Sequence, residues 1–146
     1  MRGRRLYSIR NSGARVKVIC GELDGTVGPV REIVTEPEYL DVTIPPSSEF
    51  RHIEKRGHTV FAYIFEGQGY FGDSTQNIIR SDHLVIFDDG DEVVVTSTDC
   101  NMRFLLISGK PMGEPIAWYG PIVMNTQEEL NQSFREYRDG TFIKHQ

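Results

Sequence analysis

Hydrophobic and polar positions alternate with a period of two along most of this chain. "RVKVIC" (15–20), "YLDVTI" (39–44), "HTVFAYIFEG" (58–67), "HLVIF" (83–87), "DEVVVTS" (91–97) and "MRFLLISG" (102–109) all read as strands, because side chains on an extended backbone point to two faces in turn. "SSEFRHI", "GYFG" and "QNIIR" fit between them as shorter strands. The breaks are turn chemistry: Pro45 and Pro46 stop one strand, and "GQG", "GDST" and "DDGD" separate the later ones. "GELDGTVGPV" reads as a loop marked by Gly21, Gly25, Gly28 and Pro29. No helix follows these glycines, which argues against a phosphate cradle. Strands repeating every ~8–12 residues without intervening helices predict an antiparallel sandwich or barrel.

The period changes near the C-terminus. In "NTQEELNQSFREYRDG", Thr126 and Glu129 have capping-box spacing, Glu128 and Glu129 fall in the first turn, and Arg135 and Arg138 fall in the last. Gly140 is a natural stop. Leu130, Phe134 and Tyr137 form one apolar stripe, so this helix docks on something. The preceding "EPIAWYGPIVMN" reads as an extended apolar arm broken by Pro115 and Pro121.

Composition narrows the class. The 146 residues suit one domain with its own core, and the net charge is −5. Six basic residues and no acid fall within residues 1–17, leaving ten basic against twenty-one acidic residues over the rest, a net −11. An acidic body argues against nucleic acid as the main partner, and the "MRGRR" arm reads as a solvated terminus. Cys20 and Cys100 lie far apart without C-x-x-C spacing and are expected as reduced, mostly buried thiols. No apolar run approaches the ~20 residues that cross a bilayer, and no signal-type stretch follows the N-terminal charges. A cytoplasmic protein is expected.

The strings "ARVKVICGELDGTVGPV", "YLDVTIPP", "HTVFAYIFEGQGYFG", "FLLISGKPMGEPIAWYGPIVMNTQEEL" and "FREYRDGTF" resemble the C-terminal half of pirins, members of the cupin superfamily. "SGKPMGEPIAWYGPIVMNT" is the most specific of them. The resemblance runs from about Ala14 to Phe142 and implies an all-β fold: an antiparallel cupin-type β-barrel, a jelly-roll-like double sheet, with one C-terminal α-helix. The expected organisation is a basic arm over 1–13, the barrel over 14–120, and an extended arm with the helix over 121–146. Pirins carry two barrels, and their N-terminal one holds an iron-type metal through three histidines and a glutamate. Some resemble quercetin dioxygenases in activity, and others act as transcriptional coregulators. This chain matches the second barrel only.

That resemblance bears on metal. An ungapped match of the family's metal-binding barrel to "IEKRGHTVFAYIFEG" drops its two histidines on Ile53 and Lys55, and its later histidine and glutamate on Val95 and Ser97. The family's four ligands are therefore all missing; Ile and Val have no lone pair, and a lysine ammonium repels a cation. In the family's metal-binding barrel the residue matching Thr59 points inward. Retaining that direction makes Thr59, Phe61, Tyr63, Phe65 and Val95 line the interior, with His58 outside and the rings plugging the ligand space. No metal or other cofactor is therefore expected. The alternative, iron or another divalent metal on relocated ligands, draws on His52, His58 and His83, with an oxygen from Glu66 or Asp82. Ser81-Asp82-His83 resembles a triad only in letters, because neighbouring strand residues face opposite ways. Glu22, Asp24 and Glu32 read as solvated loop carboxylates.

The leading expectation for function is a non-catalytic association or regulatory module, pairing with itself as a homo-oligomer or with a separate metal-bearing cupin. Trp118, Tyr119, Ile122 and Met124 are its expected interface anchors, being of the types that dominate interfaces. The alternatives are a metal-dependent, quercetinase-like dioxygenase and a metal-free cupin that binds a small aromatic or sugar ligand.

Overall fold

Alternating inward residues build two sheets that share one core. The structure, a computed structural model, describes residues 7–9, 12–73 and 75–144. Its strands are β1 (Tyr7–Ile9), β2 (Arg15–Cys20), β3 (Glu22–Leu23), β4 (Thr26–Val27), β5 (Glu38–Ile44), β6 (Glu49–Ile53) and β7 (Thr59–Glu66). There follow β8 (Gln68–Phe71), β9 (Ile79–Arg80), β10 (His83–Ile86), β11 (Glu92–Ser97), β12 (Met102–Gly109), β13 (Ala117–Tyr119), β14 (Ile122–Met124) and the helix α1 (Gln127–Arg138). One sheet has six strands in the order β1-β2-β5-β12-β7-β10, the other four in the order β6-β11-β8-β9. The strand ladders are antiparallel, so the barrel is a double sheet, as the pattern predicted.

The six-stranded sheet sends Val16, Val18, Leu40, Val42, Ile44, Val60, Ala62, Ile64, Phe104 and Leu106 inward. Phe50, Val93 and Val95 meet them from the four-stranded sheet, and Phe104 makes edge contacts with Phe50 and Phe71. Each fully buried side chain of this size contributes about 1.5–3 kcal/mol. The core is apolar through its middle.

Two details depart from the sequence reading. The "GELDGTVGPV" loop contains the β3–β4 hairpin, turned by Asp24 and Gly25 with φ of 48° and 74°, the left-handed pair that an Asp-Gly turn favours. The "EPIAWYGPIVMN" arm is a hairpin too, with β13 paired to β14 around Gly120 and Pro121.

The chain divides into compact units at Pro111/Met112, so β13 groups with β14 and α1. In that second unit Thr126 caps α1 in a complete capping box with Glu129, as predicted. Leu130 is buried and Phe134 stacks edge-on against Tyr119 at 5.5 Å, while Tyr137, expected on the same stripe, is exposed. Most of the basic arm lies outside the described residues, and Tyr7–Ile9 within it forms β1.

Candidate functional site

The interior of the double sheet turns polar at one end. On the six-stranded sheet Glu38 follows the inward parity of Leu40 and Val42, and Ser108 that of Leu106; the two are register partners on β5 and β12. Across from them, β6 points Phe50 and His52 inward, and Glu54 continues that face. His52 and Glu54 are only 5% and 8% exposed. The Phe50 ring lies nearly parallel to the His52 ring, with centroids 6.1 Å apart.

The three donors converge. His52 Nε2 hydrogen-bonds Glu38 Oε2 at 2.5 Å and lies 3.8 Å from Glu54 Oε1. One donor atom from each residue falls within 4.8 Å of the others. Glu54 Oε1 and His52 Nδ1 are buried without a hydrogen-bond partner. Burial raises the Glu54 carboxyl above its ordinary value, against the opposing pulls of the Ser108 hydroxyl and His52. A cavity of about 310 Å³ opens beside these groups, and Glu36, Lys55 and His58 also line it. At its rim Lys55 Nζ donates to Glu36 Oε2 at 2.8 Å.

The residues expected from sequence fall in several places. Of the fallback histidines, His52 and His58 reach this cavity. His83 is exposed on β10 opposite Ile64, about 20 Å along β7 from His58. Thr59, Phe61, Tyr63 and Phe65 do not line an interior: β7 buries Val60, Ala62 and Ile64 instead. Phe65 packs under the Arg103 guanidinium at 4.8 Å. Val95 does face inward, as part of the packed core. Glu66 lines an outer cleft with Arg103 and Asp41. Trp118 and Tyr119 are exposed, Ile122 is buried and Met124 is half-buried.

The positions implied by the ungapped family match also resolve. Ile53 is 81% exposed and has no donor atom, and the Lys55 ammonium is paired with Glu36 at the cavity rim, so neither is placed to hold an ion. A slip of one residue exchanges the faces of a strand and puts His52 and Glu54 inward. An oxygen-rich set with one imidazole suits manganese, iron or zinc. Ligands ~2.0–2.2 Å from an ion lie ~3 Å from each other, so small side-chain shifts would close this set on a cation. The residues fit a divalent metal.

Two facing antiparallel sheets with a polar end are the architecture of double-sheet folds, cupins among them. A cupin domain of an XRE family transcriptional regulator from Enterobacter cloacae superposes with a TM-score of 0.53 over 67% of this chain and 97% of that one, at 12% identity, a likeness of fold alone. Within that class, the model of the pirin C-terminal cupin domain matches residues 39–143, and the chain belongs to the pirin family. Pirin-1 of Arabidopsis thaliana is 41% identical over 131 residues, covering 88% of this chain and 45% of that protein. A quercetin 2,3-dioxygenase from Acinetobacter baumannii superposes with a TM-score of 0.81 at 25% identity, over 92% of this chain and 46% of that one. The chain thus spans about half the length of Pirin-1 and of the quercetin 2,3-dioxygenase.

Proposed function

We propose that this pirin-type cupin domain binds one divalent cation at its open end through Glu38, His52 and Glu54, and admits a small oxygen-bearing ligand beside it. The buried, unpartnered Oε1 of Glu54 carries the reading. An acceptor left unpaired away from water costs about 1–3 kcal/mol, and a cation among the three donors removes that penalty. Phe50 flanks the imidazole, and Ser108 lines the cavity beside Glu54. The adjoining cavity of about 310 Å³ has room for a small molecule. When bound, the cation would supply Lewis-acid polarisation of an oxygen on that molecule. A dioxygenase activity of the kind named for the Acinetobacter baumannii protein belongs to this proposal.

The metal-free association module predicts the opposite metal content. Elemental analysis of chain purified without chelator or metal-affinity tag separates the two. About one manganese, iron or zinc per chain is expected, falling to background in His52→Ala and Glu54→Gln. A metal-free wild type that also fails to bind added Mn²⁺ would overturn the reading.

A further inference from the structure

A second cavity, of about 340 Å³, adjoins the one at the cation site and shares Gly21, Glu22, Glu36, Pro37 and Lys55 with it. Beyond that common wall the chemistry changes from carboxylates to hydrocarbon. Val27, Val30 and Ile33 line the second cavity, and the last two are each 43% exposed, so its apolar part is an open groove. Local bonds hold the groove in shape. The Val30 N–H donates to the Ile19 carbonyl at 3.3 Å, and the Cys20 thiol donates to the Val30 carbonyl at 3.3 Å. Gly28 lies so close to β2 that a Cβ there would fall 2.6 Å from the Ile19 carbonyl oxygen. On the other side, the Glu36 N–H closes a turn onto the Ile33 carbonyl at 3.0 Å. A preformed groove lowers the ordering cost of binding.

We propose that the ligand of the cation site is amphipathic: an oxygen-bearing head at the cation, and a flexible aliphatic tail lying in the groove of Val27, Val30 and Ile33. The inference rests on the cation reading above and names the class of molecule that site takes. Continuity carries it, because one wall serves both cavities and the Lys55–Glu36 ion pair is part of that wall. Both partners of the pair are exposed, and such pairs hold weakly against solvent. A tail leaving the cation can therefore part them and reach the groove. The lining also sets the kind of tail. Among the described residues, no phenylalanine, tyrosine or tryptophan lines either cavity, so the groove offers no ring on which a planar aromatic body would stack. Branched aliphatic walls suit an alkyl chain.

Calorimetric titration of the full chain loaded with Mn²⁺ tests this. The probes are acetylacetone, whose two oxygens chelate the ion, and homologues lengthened at one end by up to about six methylenes. Affinity should rise about two- to fourfold for each added methylene until the groove is filled. Ile33→Asp places a carboxylate on the groove wall. It should bind Mn²⁺ and acetylacetone as wild type does, and lose most of the gain from the longer chains. The wild-type series tests the groove by itself if that variant fails to fold. Acetylacetone bound with no gain on lengthening would overturn the tail groove and leave the cation site standing. An undiminished gain in Ile33→Asp would overturn it as well, and so would a phenyl-substituted homologue that binds more tightly than the alkyl one of equal carbon number. A chain that binds no Mn²⁺ would remove the cation reading and this inference together.

Discussion

A carboxyl taken out of water resists ionisation, and burial is the main cause holding Glu54 above its ordinary carboxylate value. Between the ordinary value and the raised one, the folded metal-free chain binds a proton there that the unfolded chain has released. The site's contribution to stability is therefore greatest below the ordinary carboxylate value and declines as pH rises through the raised one. Glu54→Gln keeps the shape and removes the charge. In chelator its melting temperature should exceed that of wild type at about pH 8 and approach it near pH 4. Adding cation reverses the order at high pH: ligand at ~100 times its dissociation constant stabilises wild type by about 2.7 kcal/mol and the variant far less. At this scale the sequence was half legible. His52 stood among the histidines with metal-binding potential, but Glu38 and Glu54 did not, because donors from two strands meet only once their register is known. One local signal was present: in "FRHIE" the period of two that turns Phe50 inward also turns His52 and Glu54 inward.

Strand β7 shows why element existence was easier to read than orientation. Its two faces, Val60-Ala62-Ile64 and Phe61-Tyr63-Phe65, are both apolar, so alternation alone does not choose between them. The core accepted the smaller set, which fits between sheets already filled by Phe50, Phe71 and Phe104. The larger rings face outward. Ile64→Ala should cost about 2–5 kcal/mol in urea unfolding, whereas Tyr63→Ala should cost well under half as much. The reverse ranking would place the aromatic face in the core. Elsewhere, elements with distinctive local chemistry were read well: the capping box predicted where α1 starts, and Gly140, at φ 73°, follows its last turn. The β13–β14 hairpin was missed because large apolar residues on both sides of "GP" resemble an extended arm.

Across the whole molecule, the strand spacing and the resemblance to the second barrel of pirins led to the same cupin fold, now shown by the family match over residues 39–143. The expectation of no metal was drawn from absent family ligands, and Glu38, His52 and Glu54, which meet inside the fold, were not among the family positions it weighed. That step compared aligned letters, whereas coordination depends on which side chains face one another across two sheets. The interior is packed in its middle, by Val95 as expected but by Phe50 and Phe104 in place of the β7 rings, and is polar at one end. Crystals of chelator-treated protein soaked in Mn²⁺, measured at the manganese absorption edge, test the central claim most directly. One anomalous peak within bonding distance of Glu38, His52 and Glu54 is the predicted result. A map with no peak there, from crystals in which those side chains are ordered, would contradict it.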